Sequence, residues 1–108
     1  MSSNIDGISR IDIAGDQSIG FIGSLCSDLT ASIVRGGSVE LNIDENIEFD
    51  LTLIQLIESA RQTAAELDCD FALASPAPRP VRAMLERGGF MPMGDVETRS
   101  FWLHEENK

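Results

Sequence analysis

The sequence predicts an α/β domain of two layers, with a mainly parallel or mixed sheet of about four strands and with helices mostly on one face. Segments in which polar and apolar residues alternate, as in strands, are followed in turn by segments in which apolar residues recur at helical spacing. Such an order favours right-handed crossovers between parallel strands. In addition, residues 38–44 are apolar on one face only, which predicts a sheet that meets helices on one side and water on the other.

The first strand and the first helix are predicted before residue 38. Residues 8–14 alternate in polarity and end at a Gly-Asp turn, although the alternation leaves open which face is buried. From about Ser18 an apolar stripe recurs at helical spacing as far as Gly36, and Asp16 or Ser18 is a candidate cap for this helix. The stripe comprises Ile22, Leu25, Cys26, Leu29 and Ile33.

A second strand and a second helix follow. The pattern predicts a strand over residues 38–44, which lies near a sheet edge or has a solvated polar face. The next helix has the most regular apolar stripe of the sequence, from Leu53 to Leu67. Glu58 and Arg61 are expected on its exposed side.

The last third of the chain predicts one more strand and helix, and then an edge strand. Residues 71–74 form a short buried strand, and Pro80 suits the first turn of a helix that ends at the glycine pair 88–89. Residues 98–103 are predicted to form the edge strand. Phe101 and Trp102 there either complete the core or form an apolar patch for a homodimer or another partner. The choice between monomer and dimer stays open.

The composition fits a single small globular domain. The chain has 108 residues, of which 43% are hydrophobic, and this size supports one core but not two. We expect one domain over residues 1–108, with frayed ends at residues 1–6 and 104–108. A run of about 18 apolar residues, as in a membrane span, is missing, and the N-terminus has neither the basic nor the apolar region of a signal peptide. The expected location is the cytoplasm.

The junction between the second strand and the second helix is the main candidate for function. Asp50 stands where the helix begins and is an expected N-cap that accepts from the N–H of Thr52 or Leu53, worth about 1 kcal/mol. Thr52 lies in the first helical turn, where free N–H groups and the macrodipole favour negative charge. It is either an ordinary first-turn hydroxyl or a phosphoacceptor.

This junction resembles the core of the STAS domain, the family of bacterial anti-sigma factor antagonists. In that family a Leu-Asp-Leu strand is followed by a turn, by Asp-Ser-Ser-Gly and by a Leu-Gln-Leu-Leu helix. Here Leu41-Asn-Ile43 is similar to the strand, and Ile54-Gln-Leu-Ile57 is similar to the start of the helix. Between them, Asp50 matches the aspartate of the family, and Leu51 and Thr52 stand at the positions of the two serines. Leu53 stands at the position of the glycine. The order of elements is similar from about residue 8 to residue 90.

The resemblance implies a STAS-like fold and a non-enzymatic regulatory module that binds a protein. The partner would be a histidine-kinase-type ATPase that acts as an anti-sigma factor, or a related signalling kinase. Binding would sequester this partner, and phosphorylation of Thr52, at the family's phosphoacceptor position, would release it. The residues implied in partner binding are Asp44, Glu48, Asp50, Leu51, Thr52, Leu53 and Gln55.

Two other functions stay open. Some compact STAS-like proteins are accessory subunits of lipid-transport ATPase complexes, and that role would use the same fold. The other is a small thiol-dependent enzyme that uses Cys26 or Cys69. Because the spacing of these cysteines matches no metal motif, the simpler expectation is a pair of reduced, buried thiols.

Charge and composition disfavour several other classes of function. The net charge of −10 opposes direct binding to nucleic acid or to an anionic membrane. The sequence has no glycine-rich phosphate loop, and its single histidine, His104, is expected in a solvated tail. Residues 44–48 are acidic but lack the pattern of a calcium loop. We therefore expect no catalysis, no cofactor and no metal.

Overall fold

The computed structural model describes residues 8–18, 20, 22–87 and 96–104. Strands and helices alternate over this part of the chain, which confirms the predicted α/β class. In chain order the elements are β1 (Ile8–Ile13), β2 (Asp16–Gln17), α1 (Gly23–Arg35), β3 (Ser38–Ile43), β4 (Glu48–Phe49), α2 (Leu51–Glu66), β5 (Asp70–Leu73), α3 (Arg79–Arg87) and α4 (Val96–Leu103).

The main sheet contains three parallel strands in the order β1-β3-β5. About four strands were predicted, and the difference arises because β2 and β4 form a separate parallel pair instead of extending the sheet. The central position belongs to β3, which pairs with β1 on one side and β5 on the other. Its polar residues therefore reflect a solvated sheet face and not a position at the sheet edge.

The two faces of the sheet differ sharply in chemistry. On one face Ile13, Val39 and Leu41 are buried, and α1 packs there against β1 and β3 while α2 packs against β5. On the other face polar side chains bond across neighbouring strands. Arg10 Nε lies 3.0 Å from Glu40 Oε1, and Asn42 Nδ2 donates to Asp12 Oδ1 at 3.3 Å. The predicted two-layer arrangement is confirmed, and the open question of which face of β1 is buried is resolved.

Helix α1 begins later than the sequence predicts. Its first residue is Gly23, and its N-cap residue, Ile22, makes no side-chain capping hydrogen bond. The carboxylate of Asp16, one of the predicted caps, bonds to Ser18 instead. The predicted end is confirmed at Gly36, whose φ of 88° suits glycine. Cys26 is exposed, so the prediction that it is buried is wrong. It flanks the buried side of the helix, which is formed by Leu25, Leu29, Ser32 and Ile33.

Helices α2 and α3 largely follow their predicted patterns. In α2 the buried positions are Leu53, Ile54, Ile57, Ala60 and Ala64, whereas Leu67 is the C-cap and is 54% exposed. Glu58 and Arg61 were expected on the exposed side, but they are mostly buried against α4. Helix α3 includes Pro80 in its first turn and buries Val81 and Leu85. Its predicted end at the glycine pair 88–89 lies outside the described residues.

The predicted terminal strand is wrong, because residues 98–103 belong to helix α4. Thr98 and Trp102 are four residues apart and both buried, so one helical face turns inward. Phe101 stacks on Phe71 of β5 with ring centroids 5.7 Å apart. Of the two readings of this aromatic pair, completion of the core is therefore correct. Of the residues expected to fray, 1–6 and 105–108 lie outside the described residues. His104, the first residue of the expected frayed end, is described, and its backbone N–H donates to the Ser100 carbonyl at 3.0 Å.

Candidate functional site

The candidate site lies where the chain leaves the carboxyl ends of β1 and β3. After each of these strands a short turn leads into β2 or β4, which pair in parallel with Asp16 beside Glu48. The N–H of Glu48 also donates to the carbonyl of Gly15 at 2.9 Å. This pairing brings two acidic turns together immediately before the N-terminus of α2.

Asp50 caps α2 as the sequence predicts. Its backbone is extended, with φ −131° and ψ −171°, and its Oδ1 accepts from the N–H of Thr52 at 2.9 Å. Its carbonyl oxygen accepts from the N–H of Leu53 at 3.1 Å. The cap satisfies one of the N–H groups that a helix start leaves without an intrahelical partner.

Thr52 is half-buried in the first turn of α2. Among the described residues none forms a hydrogen bond with its hydroxyl. The first turn itself contains no acidic side chain, so the negative charge at this helix start comes from Asp50 and from the paired turns that carry Asp16 and Glu48. The positive end of the helix dipole favours negative charge at this position.

The other residues implied in partner binding divide into an exposed set and one buried residue. Asp44, Glu48 and Gln55 are exposed, and Leu51 is 41% exposed, which makes it one of three large apolar side chains on the surface of the described part of the chain. Leu53 has no exposed surface. Its side chain belongs to the hydrophobic core, so the placement of Leu53 in a binding surface is corrected.

Asp44 also holds the turn between β3 and β4. Its Oδ2 accepts from the N–H of Asn46 at 3.2 Å, and its carbonyl oxygen accepts from the N–H of Ile47 at 3.2 Å. A side chain that bonds to the backbone two residues ahead is a common way to stabilise a tight turn. The acidic turn is therefore held by its own residues together with the bond from the Asp44 N–H to the Ile13 carbonyl at 2.9 Å.

Asp16 and Ser18 also belong to this site. From the sequence they were predicted only as candidate caps of α1. Asp16 Oδ1 accepts from Ser18 Oγ at 2.6 Å and from the Ser18 N–H at 3.0 Å. These bonds lower the pKa of the Asp16 carboxyl, while the negative charge of Asp50 acts in the opposite direction. Asp16 and Asp50 are thus within electrostatic reach of each other. The sequence feature that could have indicated this part of the site is the Asp-x-Ser pair that follows the first predicted strand.

The described residues give little support for thiol or metal chemistry. Within the described part of the chain, no group of three or more His, Cys, Asp or Glu residues is placed to hold a metal ion. Cys69 is buried, and burial, followed by the nearby charge of Asp70, raises the pKa of its thiol. A raised pKa opposes formation of the thiolate, which is the nucleophile. His104 Nε2 lies 3.1 Å from the Leu73 carbonyl oxygen, a contact in which the ring donates.

Comparison with known proteins adds no relative. The chain matches no protein-family model, no curated protein and no solved structure. In the described residues, no helix is both long enough and apolar enough to cross a bilayer. Any function is therefore inferred from the fold and from this site.

Proposed function

We propose that this chain is a STAS-like regulatory module without enzymatic activity, which docks a histidine-kinase-type ATPase through the N-terminal end of α2. One observation supports this most strongly. Asp50 caps the helix through the N–H of Thr52, so Thr52 is held in a fixed position next to the paired acidic turns. This arrangement corresponds to the STAS resemblance of the sequence, in which the phosphoacceptor follows the aspartate.

The surface around Thr52 has the composition of a docking site. Leu51 offers an exposed apolar side chain, and acidic residues precede it at Glu48 and at the cap residue Asp50, with Asp16 paired beside Glu48. Interfaces commonly place an apolar residue at the centre and charged residues at the rim. The rim charges predict a basic contact surface on the partner, because complementary charge accelerates association and selects partners.

Phosphorylation of Thr52 is the second step of the proposal. A phosphate adds about −1.5 to −2 charge at pH 7. Within the module the helix start tolerates this charge. In a complex the phosphate would have to be desolvated next to Asp50 and Glu48, and the contact around Leu51 would have to admit a bulky tetrahedral group. Release of the partner would then require no unfolding of the module.

The proposal is tested by affinity capture from the native host's lysate with wild-type protein, Thr52→Glu and Gln62→Glu. Gln62 is exposed on the same helix but distant in sequence from the cap, so the second variant is a control for added charge. We expect the wild type and Gln62→Glu to retain an ATPase of the histidine-kinase type and Thr52→Glu to lose it. The captured ATPase is then purified and its binding reconstituted.

The two steps of the proposal can fail separately. If no histidine-kinase-type ATPase is captured by the wild type, the docking function is wrong. If Thr52→Glu binds the purified ATPase as tightly as wild type, docking stands and phosphorylation is not the switch. Incubation with the ATPase and ATP, followed by mass spectrometry, shows whether Thr52 gains a phosphate, with Thr52→Val as the control.

A further inference from the structure

Strand β5 has one edge without a neighbouring strand in the part of the chain that the structure describes. It is the last strand in the order β1-β3-β5 and pairs only with β3. The N–H groups of Asp70 and Ala74 donate to carbonyl oxygens on the β3 side, at 3.1 and 2.7 Å. Because successive residues of a strand turn their N–H and C=O groups to opposite sides, those of Phe71 and Leu73 point away from β3.

Three of these four outward backbone groups are unpaired. The carbonyl oxygen of Leu73 lies 3.1 Å from His104 Nε2. The N–H and C=O of Phe71 and the N–H of Leu73 have no hydrogen-bond partner among the described residues. An unpaired row of donors and acceptors at strand spacing is a template for another extended chain. Residues 70–73 include neither proline nor lysine, which commonly protect such an edge.

A cavity of about 530 Å³ follows this edge, and we call it the β5 groove. Residues 69–72 line it as a continuous stretch, so the groove extends along the strand. Two residues one turn apart on α2, Arg61 and Ala65, and three residues of α4 form the rest of its lining; those of α4 are Ser100, Phe101 and His104. Helices α2 and α4 therefore border the position that a further strand beside β5 would occupy.

The side chains of β5 define what an added strand would contact. Phe71 is aligned with the buried Val39 of β3, so it lies on the helix side of the sheet, where its ring stacks on Phe101. A residue beside Phe71 in an added strand would share this side and meet the two rings. Asp70 is exposed on the opposite side. Cross-strand neighbours favour apolar contacts with rings and opposite charges, so the matching residues are an apolar one beside Phe71 and a basic one beside Asp70.

We propose that the β5 groove binds an extended segment of a partner protein, which joins the main sheet as a fourth strand. The segment carries an apolar residue with a basic residue next to it in sequence. In this mode of recognition main-chain bonds give affinity and alternate side chains give specificity. A second copy of this chain is a poor occupant, because each copy has a net charge of −10 and the two repel one another, whereas a basic segment is attracted.

The test begins with selection of random octapeptides displayed on phage against the purified chain. The most enriched peptide is synthesised, and amide hydrogen exchange is measured with and without it. We expect slower exchange at Phe71 and Leu73 and unchanged exchange at Thr52. N-methylation of the peptide, one residue at a time, should weaken binding by roughly tenfold or more at alternate residues only, because every second N–H of a strand faces the same neighbour.

Two charge variants test the basic residue of the segment. Asp70 and Asp28 are both exposed, but Asp28 lies on α1, which does not line the groove. We expect Asp70→Lys to weaken binding of the selected peptide by roughly fivefold or more and the matched control Asp28→Lys to change it by less than about twofold. Circular dichroism confirms that both variants fold.

Several results would overturn the proposal. They are a failure to enrich any peptide, protection at Thr52 instead of Phe71 and Leu73, N-methylation effects without the alternate pattern, and equal weakening by both lysine variants. The experiment contains no ATPase and does not involve Thr52 as a contact. Failure of the docking function at α2 would therefore leave this proposal standing, and the reverse also holds.

Discussion

The N-terminal end of α2 and the middle of the same helix are stabilised in opposite ways. At the start, Asp50 bonds to a residue two positions along the chain, and the acidic side chains of the paired turns, Asp16 and Glu48, are exposed. In the middle, the hydrogen bonds of Glu58 and Arg61 reach α4, which is 37 to 44 residues further along, and both side chains are mostly buried.

This difference separates a helix start whose capping bond is local from a helix middle that joins α2 to α4. The capping bond connects residues only two positions apart, so its loss should leave the packing of the core in place. The middle joins α2 to α4 and leaves little of its charge accessible. Mutations at the two places should therefore affect stability by very different amounts.

The largest effect is expected from Trp102→Ala. Trp102 is fully buried, it meets Phe101 edge-on at 5.2 Å, and its indole N–H donates to Glu58. Removal of a buried aromatic side chain costs about 3–5 kcal/mol, which is a large fraction of the stability of a small domain. Urea unfolding monitored by circular dichroism measures the change. A loss below about 1 kcal/mol would mean that α4 is not part of the core.

Glu58→Ala should have the next largest effect. The change removes the acceptor of the Trp102 indole and the ion-pair partner of Arg61, whose Nε is already buried without an acceptor among the described residues. Buried donors that lose their partners cost about 1–3 kcal/mol. Glu58→Gln keeps an acceptor oxygen and should recover part of this loss in the same unfolding experiment. Equal stability of Glu58→Ala and wild type would contradict the assigned network.

Asp50→Ala should destabilise the domain by about 1 kcal/mol, because the cap bond to Thr52 is lost. Asp50→Asn is the matched control, since asparagine caps helices about as well as aspartate. Amide hydrogen exchange sharpens the comparison. In Asp50→Ala, exchange of the Thr52 amide should be accelerated more than that of amides in the middle of α2, whose exchange should change only by the loss in global stability. Uniform acceleration along the helix would show that the cap is not a local feature.

The smallest effect concerns the titration of Asp16. Its folded pKa lies below the ordinary value because of the two bonds from Ser18, so its contribution to stability is present above the ordinary pKa and is lost as pH falls through the folded pKa. Ser18→Ala should raise the Asp16 pKa, measured by NMR titration of the carboxyl carbon. Asp50→Asn should lower it further, because the opposing charge is removed. Opposite shifts would show that the assignment of causes is wrong.

Features that depend on contacts between residues close in the sequence were predicted well, and features that depend on distant contacts were not. The cap at Asp50, the stripe of α2 as far as Ala64 and the end of α1 at Gly36 depend on neighbouring residues, and these were predicted correctly. Leu67 was assigned to the stripe but is 54% exposed, and Glu58 and Arg61 were expected to be exposed but are mostly buried. The start of α1 was wrong because Asp16 had two possible partners, the helix and Ser18. The segment around Trp102 was wrong because its strand-forming residues are overridden by contacts with Glu58 and Phe71. Local spacing carries no information about such distant contacts.

The packing of α4 also constrains how the domain is made in a cell. Trp102 fills the core beside Glu58, and the chain beyond it turns back at His104 to meet the end of β5. A nascent chain emerges from its N-terminus at a limited rate, so β1, α1, β3 and α2 leave the ribosome before the side chain that completes their core. Until residues 98–104 emerge, the parts of α2 and β5 that contact α4 lack this partner. That interval is when this chain is most open to chaperones and to aggregation.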